Sequence, residues 1–280
     1  MIPRWDAGAT AVVSQAFTGP TAPGWVLGGG ATLTGGSVDP AGNGWLRLTD
    51  TGPNAETGYA YYDKAFPSGP GVSLSFDYAS WGGTGADGTS LILWDGSMPF
   101  SLGQSGGSLG YANGCGTPGA NGGYLGLGLD EYGNYANAND NCHNGGDGTV
   151  WQPFNMQVGL RGSAAGGYTW LTGSGILPSN EQLAFPFTNA RPDQTGTGFR
   201  HVSLTISQAG ILNVQVQFGA GTTPVSVISG YNLYAQGAPP AKFKLAFVGS
   251  TGAINDYHEI RNLTFTNYDG HERLEHQDWR

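Results

Sequence analysis

The sequence predicts an all-β protein, with two antiparallel sheets packed face to face as a sandwich or jelly roll. Three observations support this fold class. Apolar and polar residues alternate at period two in segment after segment: Val72, Leu74, Phe76 and Tyr78 interleave with Ser73, Ser75 and Asp77; Leu212, Val214, Val216 and Phe218 with Asn213, Gln215 and Gln217; Phe243, Leu245 and Phe247 with Lys242, Lys244 and Ala246. Successive side chains of a strand point to opposite faces, so each run has one face to bury. Fifty glycines and 16 prolines supply turns between the runs. No amphipathic helical pattern longer than about two turns competes, and no repeat recurs at a fixed period.

The elements follow in chain order. Strands are expected near 45–49 and 57–65, over 72–78, and near 89–94, where Leu91, Ile92 and Leu93 form an apolar run. Tyr124, Leu125 and Leu127 open a strand over 124–130. Further strands fall near 155–161, 200–206, 212–218, 224–229, 242–247 and 257–266, separated by clusters of Gly, Pro, Asn and Asp. Each needs a second layer over its apolar face, and one domain suffices. Residues 1–11 read as an N-terminal extension, 12–267 as the domain, and 268–280 as a charged C-terminal tail poor in apolar residues.

Composition narrows the function. Of 280 residues 39% are apolar, including 8 Trp, 13 Tyr and 12 Phe, and only 11% are charged, which fits a packed chain and not a disordered one. The net charge is -9 and the only lysines are Lys64, Lys242 and Lys244, so no basic patch exists for nucleic acid or an anionic membrane surface. A neutral ligand or a cation fits that balance. No stretch reaches the roughly 18–20 apolar residues of a membrane helix. Met1 to Trp5 lacks the apolar run of a secretion signal and reads as the start of an excised domain. Cys115 and Cys142 both lie in loop sequence rich in glycine and asparagine, which favours a disulfide over two buried thiols and places the domain outside the cytosol.

Three short stretches carry the chemistry. GADG at 85–88 sets Asp87 among small residues, where its carboxylate can accept hydrogen bonds from two adjacent hydroxyls of a neutral ligand; a lone DG pair is also an ordinary turn. GGYLGLGLDEYGN at 122–134 runs from a strand into a loop in which the Asp130 and Asn134 side chains and the Tyr132 carbonyl offer oxygens at alternate positions. That pattern suits calcium, and equally a solvated polar loop. Asn137, Asn139, Asp140 and His143 follow and can complete or cover such a site. GSTGA at 249–253 is a turn between Phe247 and Tyr257.

In this order, GADG, then GYLG with LDxYxN, then GSTGA with the HEI of 258–260, the stretches resemble the legume-type lectins of the concanavalin A-like superfamily. FTG at 17–19, GWVL at 24–27, GWLRLT at 44–49 and AYY at 60–62 look like the branch found in large bacterial surface and adhesin proteins. The resemblance spans residues 12–266. It implies a concanavalin A-like jelly roll that binds carbohydrate without altering it, as a module of a secreted or surface-anchored bacterial adhesin. Its partners would be glycans on a cell surface or matrix and the other domains of that adhesin. By the same resemblance Asp87, following a cis peptide and next to Gly88, accepts from two sugar hydroxyls, and Gly123 donates its backbone N–H. Asn134 is shared between calcium and a sugar hydroxyl, while Ala253 and Ile254 close the opposite wall. Tyr132, with Tyr135 as substitute, stacks on the apolar face of the sugar. Calcium, bound by Asp130, Tyr132, Asn134 and Asp140, would mainly hold the loop.

The chain also departs from that pattern. Plant members of the family take the first ligand of a transition-metal site from a glutamate two residues before the aspartate, and here that residue is Gly128. No transition metal is therefore expected, and His143 falls to a loop hydrogen bond. Two other functions stay open. A structural or protein-binding sandwich would keep the fold with Asp87 and Asn134 covered or pointing apart. A glycoside hydrolase would need two carboxylates across a scissile bond, whereas Asp130 and Glu131, adjacent on an extended strand, point to opposite faces. His258 and Glu259 read as structural, with Glu259 paired to Arg261 on the same face, and Asn262-Leu263-Thr264 is a glycosylation sequon within a strand.

Overall fold

Period-two burial recurs along the strands of one sheet in the computed structural model, which describes residues 11–52, 54–137 and 154–267. The strands are β1 (Ala11–Gln15), β2 (Trp25–Gly29), β3 (Thr32–Leu33), β4 (Leu46–Thr49), β5 (Thr57–Pro67), β6 (Val72–Trp81), β7 (Gly88–Asp95) and β8 (Gly123–Asp130). They continue as β9 (Gln157–Arg161), β10 (Trp170–Gly173), β11 (Arg200–Ile206), β12 (Ile211–Phe218), β13 (Val225–Asn232), β14 (Lys242–Ser250) and β15 (Tyr257–Thr266). One sheet of eight strands runs β13-β12-β11-β6-β15-β4-β3, with β1 also on β15; the other, of seven, runs β10-β9-β8-β7-β14-β5-β2. The predicted all-β sandwich is the observed one. No helix among the described residues is long and apolar enough to cross a membrane.

In the eight-stranded sheet the apolar members of the alternation point inward. Val202, Leu204 and Ile206 of β11 and Leu212, Val214 and Val216 of β12 are buried, while Ser203, Thr205, Asn213 and Gln215 lie between them on the other face. They meet Leu91, Leu93, Leu125, Leu127, Leu245 and Phe247 of the facing sheet in one continuous core. Aromatic rings fix its middle: Phe76 and Phe247 meet edge to face at 4.9 Å, and Trp25 stacks on Phe247 at 6.2 Å.

The seven-stranded sheet departs from simple alternation because both its faces are covered. Ile92 and Trp94 of β7 and Ala246 and Val248 of β14 point away from the main core into a second cluster with Tyr111, Ala112, Ala120 and Tyr168, carried by the segments outside the sheet. β7 and β8 are consequently buried along almost their whole length. On β8 the inward Leu125, Leu127 and Leu129 alternate with glycines that leave room for rings lying flat on the strand. A Cβ at Gly126 would come 2.2 Å from the Tyr111 ring, and one at Gly128 2.5 Å from the Tyr135 ring. The bare backbone of β8 is thus clad by side chains sent from elsewhere in the chain.

β1, β2, β3 and β10 were not expected as strands. All four are short; β3 and β10 end their sheets, β2 pairs only with β5, and β1 pairs only with β15. Ala11 of β1 lies opposite Thr266 at the far end of β15. Of the expected disulfide, Cys115 sits in a tight turn with φ 46°, while Cys142 lies outside the described residues, as do the proposed extension up to residue 10 and the tail 268–280.

Phe247 is wholly buried between the layers. Phe247→Ala is therefore expected to lower stability by about 3–5 kcal/mol in denaturant unfolding monitored by near-UV circular dichroism.

Candidate functional site

Strand register brings the three sequence stretches together. β7 lies between β8 and β14, and its first residue, Gly88, is opposite Asp130 on one side and Ser250 on the other. The residues just before β7, just after β8 and just after β14 must therefore emerge side by side at one end of the sandwich. Backbone hydrogen bonds hold them there. The Asp87 amide donates to the Ser250 carbonyl at 2.9 Å, and the Asp87 carbonyl accepts from the Glu131 and Tyr132 amides at 3.1 and 3.2 Å. The Ala86–Asp87 peptide is cis, as the resemblance implies.

Asp87 and Asn134 converge. Asn134 Nδ2 donates to Asp87 Oδ1 at 3.3 Å, which leaves Asp87 Oδ2 and Asn134 Oδ1 buried without a hydrogen-bond partner. Such bare acceptors are costly in a protein interior, by roughly 1–3 kcal/mol each, and a ligand bearing donors would relieve that cost. Glycines enclose them: a Cβ at Gly252 would lie 2.9 Å from Asp87 Oδ2, and one at Gly107 would lie 2.5 Å from the Asn134 side chain. Gly106 lies on the same wall, its amide donating to Ser250 Oγ at 2.7 Å. Asp87 is only 3% exposed, and burial pushes its carboxyl up to about 6, with Glu131 adding to the shift and Asn134 and His258 opposing it.

Not every expected residue joins this group. Gly123 is at the opposite end of β8, paired with Trp94, roughly 23 Å from Asp130 at the rise of an extended strand. It borders a different cavity of about 450 Å³, together with Met98, Asn121, Tyr124 and Gln236. The place expected for it is taken by Gly106 and Gly107. The signal was in the sequence, since GGSLG at 106–110 differs from GGYLG at 122–126 in one residue, and only tertiary pairing decides which of them meets Asp87. Ala253 is exposed and Ile254 half-buried on the turn after β14, next to Gly252. Tyr132 is half-buried, its ring meeting the exposed Phe154 edge to face at 6.1 Å, whereas Tyr135 is wholly buried and presents no face to solvent.

Behind Asp87 lies a buried polar network. Glu131 accepts from Ser80 Oγ and faces His258 Nε2 at 3.1 Å; His258 Nδ1 meets Thr49 Oγ1 at 2.6 Å; Asp256 accepts from the Gly83 amide. Burial works against the charge on His258, but Glu131, Asp256 and Asp87 together outweigh it and raise the imidazole above its ordinary value. Burial, with Glu131 adding to it, raises Asp256 to about 8. Asp130 and Glu131 do point apart, as expected for neighbours at a strand end. Glu259, expected to pair with Arg261, instead pairs with Arg47 and Arg191 at 2.9 and 2.6 Å, while Arg261 lies 3.5 Å from Asp77. The two stay in unbroken register opposite Ala79 and Asp77 of β6; Arg47 and Arg191 occupy the Glu259 carboxylate, and Asp77, directly across the ladder, takes the Arg261 side chain.

Solved structures share this arrangement of strands. Peanut lectin aligns over 91% of this chain and 96% of its own with a TM-score of 0.59 and 19% identity. A Bauhinia forficata lectin solved with GalNAc covers 91% and 97% at a TM-score of 0.59 and 14% identity. The exoplasmic/lumenal domain of VIP36, in a form bound to Ca²⁺ and Man2, covers 95% and 90% at 0.55 and 15%. The chain has the legume-type lectin fold. At such identities the likeness is one of architecture, and no protein-family model or curated protein sequence matches the chain.

That fold implies calcium in some of its members, and the residues present can be tested against it. Calcium takes six to eight oxygens. In this lectin fold the expected donors are already committed: Asp130 Oδ1 accepts the Gly133 amide and Oδ2 the Tyr135 amide, both at 2.8 Å, and the Tyr132 carbonyl accepts the Phe154 amide at 3.0 Å. Asn134 turns its Nδ2 to Asp87, and Asp140, like Asn139 and His143, lies outside the described residues. Burial pushes Asp130 up to about 8, against the pull of its amide donors. No group of three or more His, Cys, Asp or Glu that could hold a metal occurs among the described residues. The expected ligands Asp130 and Tyr132 thus accept the hydrogen bonds that close their own loop.

Gly128, which removes the transition-metal ligand, is required by packing. Gly128→Ala is expected to cost about 1–3 kcal/mol in thermal or denaturant unfolding, because the added methyl meets the Tyr135 ring.

Proposed function

We propose that this chain is a carbohydrate-binding module that holds a neutral glycan at the Asp87 end of the sandwich and does not alter it. The observation that carries the reading is the pair of unpartnered acceptors, Asp87 Oδ2 and Asn134 Oδ1, held side by side by a hydrogen bond between the two side chains. Adjacent sugar hydroxyls are donors of the kind these acceptors lack. The glycines at 106, 107 and 252 let backbone approach those atoms closely, and Ala253, Ile254, Tyr132 and Phe154 supply the rim around them. GalNAc and mannose units bound by structural neighbours support the same ligand class. Glu131, the carboxylate that a hydrolase would recruit, is committed to Ser80 and His258 in the interior, which favours binding over turnover. The proposal includes an extracellular or bacterial surface location, with cell-surface or matrix glycans as partners and the module acting within an adhesin.

A structural sandwich is the second reading, and the burial of both acceptors favours it, since a ligand must displace part of the glycine cover to reach them. A glycan array of the parent, Asp87→Ala and Asn134→Ala separates the two. Each variant is expected to lose roughly tenfold to a hundredfold in affinity, as for hydrogen bonds to a charged or buried acceptor, with thermal unfolding unchanged or raised. Binding that survives both substitutions would sink the site, and a blank array with the parent would leave the structural sandwich standing.

The ionised form of Asp87 accepts from hydroxyls, so affinity should fall as pH drops through about 6. Stability moves in the opposite sense. The raised carboxyl contributes most below the unfolded value near ~3.9, and that contribution is lost as pH rises through about 6. Calorimetric titration between acid and neutral pH checks the first, and thermal unfolding of the parent against Asp87→Asn checks the second.

A further inference from the structure

We infer that the Arg161 guanidinium, and not a captured calcium ion, fixes the loop after β8 in this protein. The loop of residues 131–137 carries Asn134, and three of its carbonyl oxygens are answered from within the chain. Tyr132 O accepts the Phe154 amide, Asn134 O the Asn137 amide at 3.2 Å, and Tyr135 O the Nε–H of Arg161 at 2.9 Å. Arg161 stands at the end of β9, is wholly buried, and also donates through Nη1 to the Tyr168 carbonyl at 3.1 Å. Its guanidinium lies 5.4 Å from the centre of the Tyr135 ring and 5.9 Å from that of Trp170. A guanidinium keeps its charge when buried, and its fixed fork can serve several carbonyls at once.

Tyr135 is thereby held on every side. Its amide donates to Asp130, its carbonyl receives Arg161, its hydroxyl donates to the Gly126 carbonyl at 3.1 Å, and its ring fills the space above Gly128. The ring therefore stands where the position-128 side chain of a metal-binding relative would project. β9 supplies an organic cation beneath the loop, and the Tyr135 carbonyl turns inward to meet it. Arg161 is a positioning residue: it sets where Asn134 stands without touching a ligand.

The test uses the full chain and rests on the lectin reading only for its last readout. After treatment with chelator, calcium is titrated while thermal unfolding and heat of binding are recorded; an unchanged Tm and no saturable heat are expected, and a rise in Tm with saturable calcium binding overturns the inference. Hydrogen exchange is then compared in the parent, Arg161→Lys and Arg161→Met. Amides of Gly133 and Tyr135 are expected to exchange roughly tenfold to a hundredfold faster in Arg161→Met, with Arg161→Lys in between and the amides of β11 and β12 unchanged. Exchange at the parent rate in Arg161→Met overturns the inference, and if that variant does not fold, Arg161→Lys decides in the same way. Glycan affinity, where present, is expected to be equal in chelator and in calcium. A protein that binds no glycan yet passes the calcium and exchange tests overturns the proposed function and leaves this inference intact.

Discussion

Everything at the functional end of this molecule depends on the register of β7 between its two neighbours. With Gly88 opposite both Asp130 and Ser250, three segments distant in sequence have to leave the sheet at one level. A slip of one residue would turn each strand's inward leucines toward the outer cluster and its outward residues toward the core. The main core therefore enforces the register, and the register places Asp87 next to Asn134. Packing in the middle of the sheet and geometry at its edge are one constraint read at two points.

The polar interior next to the site follows the same logic. Glu131, at the end of β8, bonds to His258 of β15 and Ser80 of β6 and so crosses from one layer to the other, while Asp256 joins Ser80 to Thr49 of β4 along the eight-stranded sheet. A hydrophobic core fills space but leaves the strand ends free to splay; directional bonds between charged and hydroxyl groups specify the distance between layers there. On the eight-stranded sheet Glu259 gathers Arg47, Arg191 and the Trp81 indole in a similar manner, with Asp39 beyond Arg191.

Much of this was legible in the sequence, and the gaps have physical causes. The alternations of 72–78, 200–206 and 212–218 announced strands because one face is wet. The expectations for Asp87, Asn134, Ala253 and Ile254 rested on order along the chain, which the sheet preserves as neighbourhood. Gly123 misled because two nearly identical glycine motifs lie 16 residues apart, and nothing local tells which will pack against the start of β7. Asp130 looked like a metal ligand because a carboxylate that caps two amides of its own loop has the same sequence as one that faces outward. The pairing of Glu259 with Arg261 considered one strand alone, and period-two reasoning does not show the partners that arrive from other segments, Arg47 and Arg191 for Glu259 and Asp77 for Arg261. β1, β2, β3 and β10 escaped because edge strands can be short and carry little pattern.

β1 and β15 give the molecule a direction. Tyr257 opens β15 near the site and Thr266 closes it at the other end, where it meets Ala11. Both ends of the described chain thus emerge on the side opposite Asp87, so a tether at either one would present the site outward. The same pairing fixes how the domain would respond to tension. A pull on the two ends would load the β1–β15 ladder at the Ala11–Thr266 rung and open it one rung at a time, as a zipper opens, so that β1 would yield at low force while the β7 register that shapes the site stayed closed.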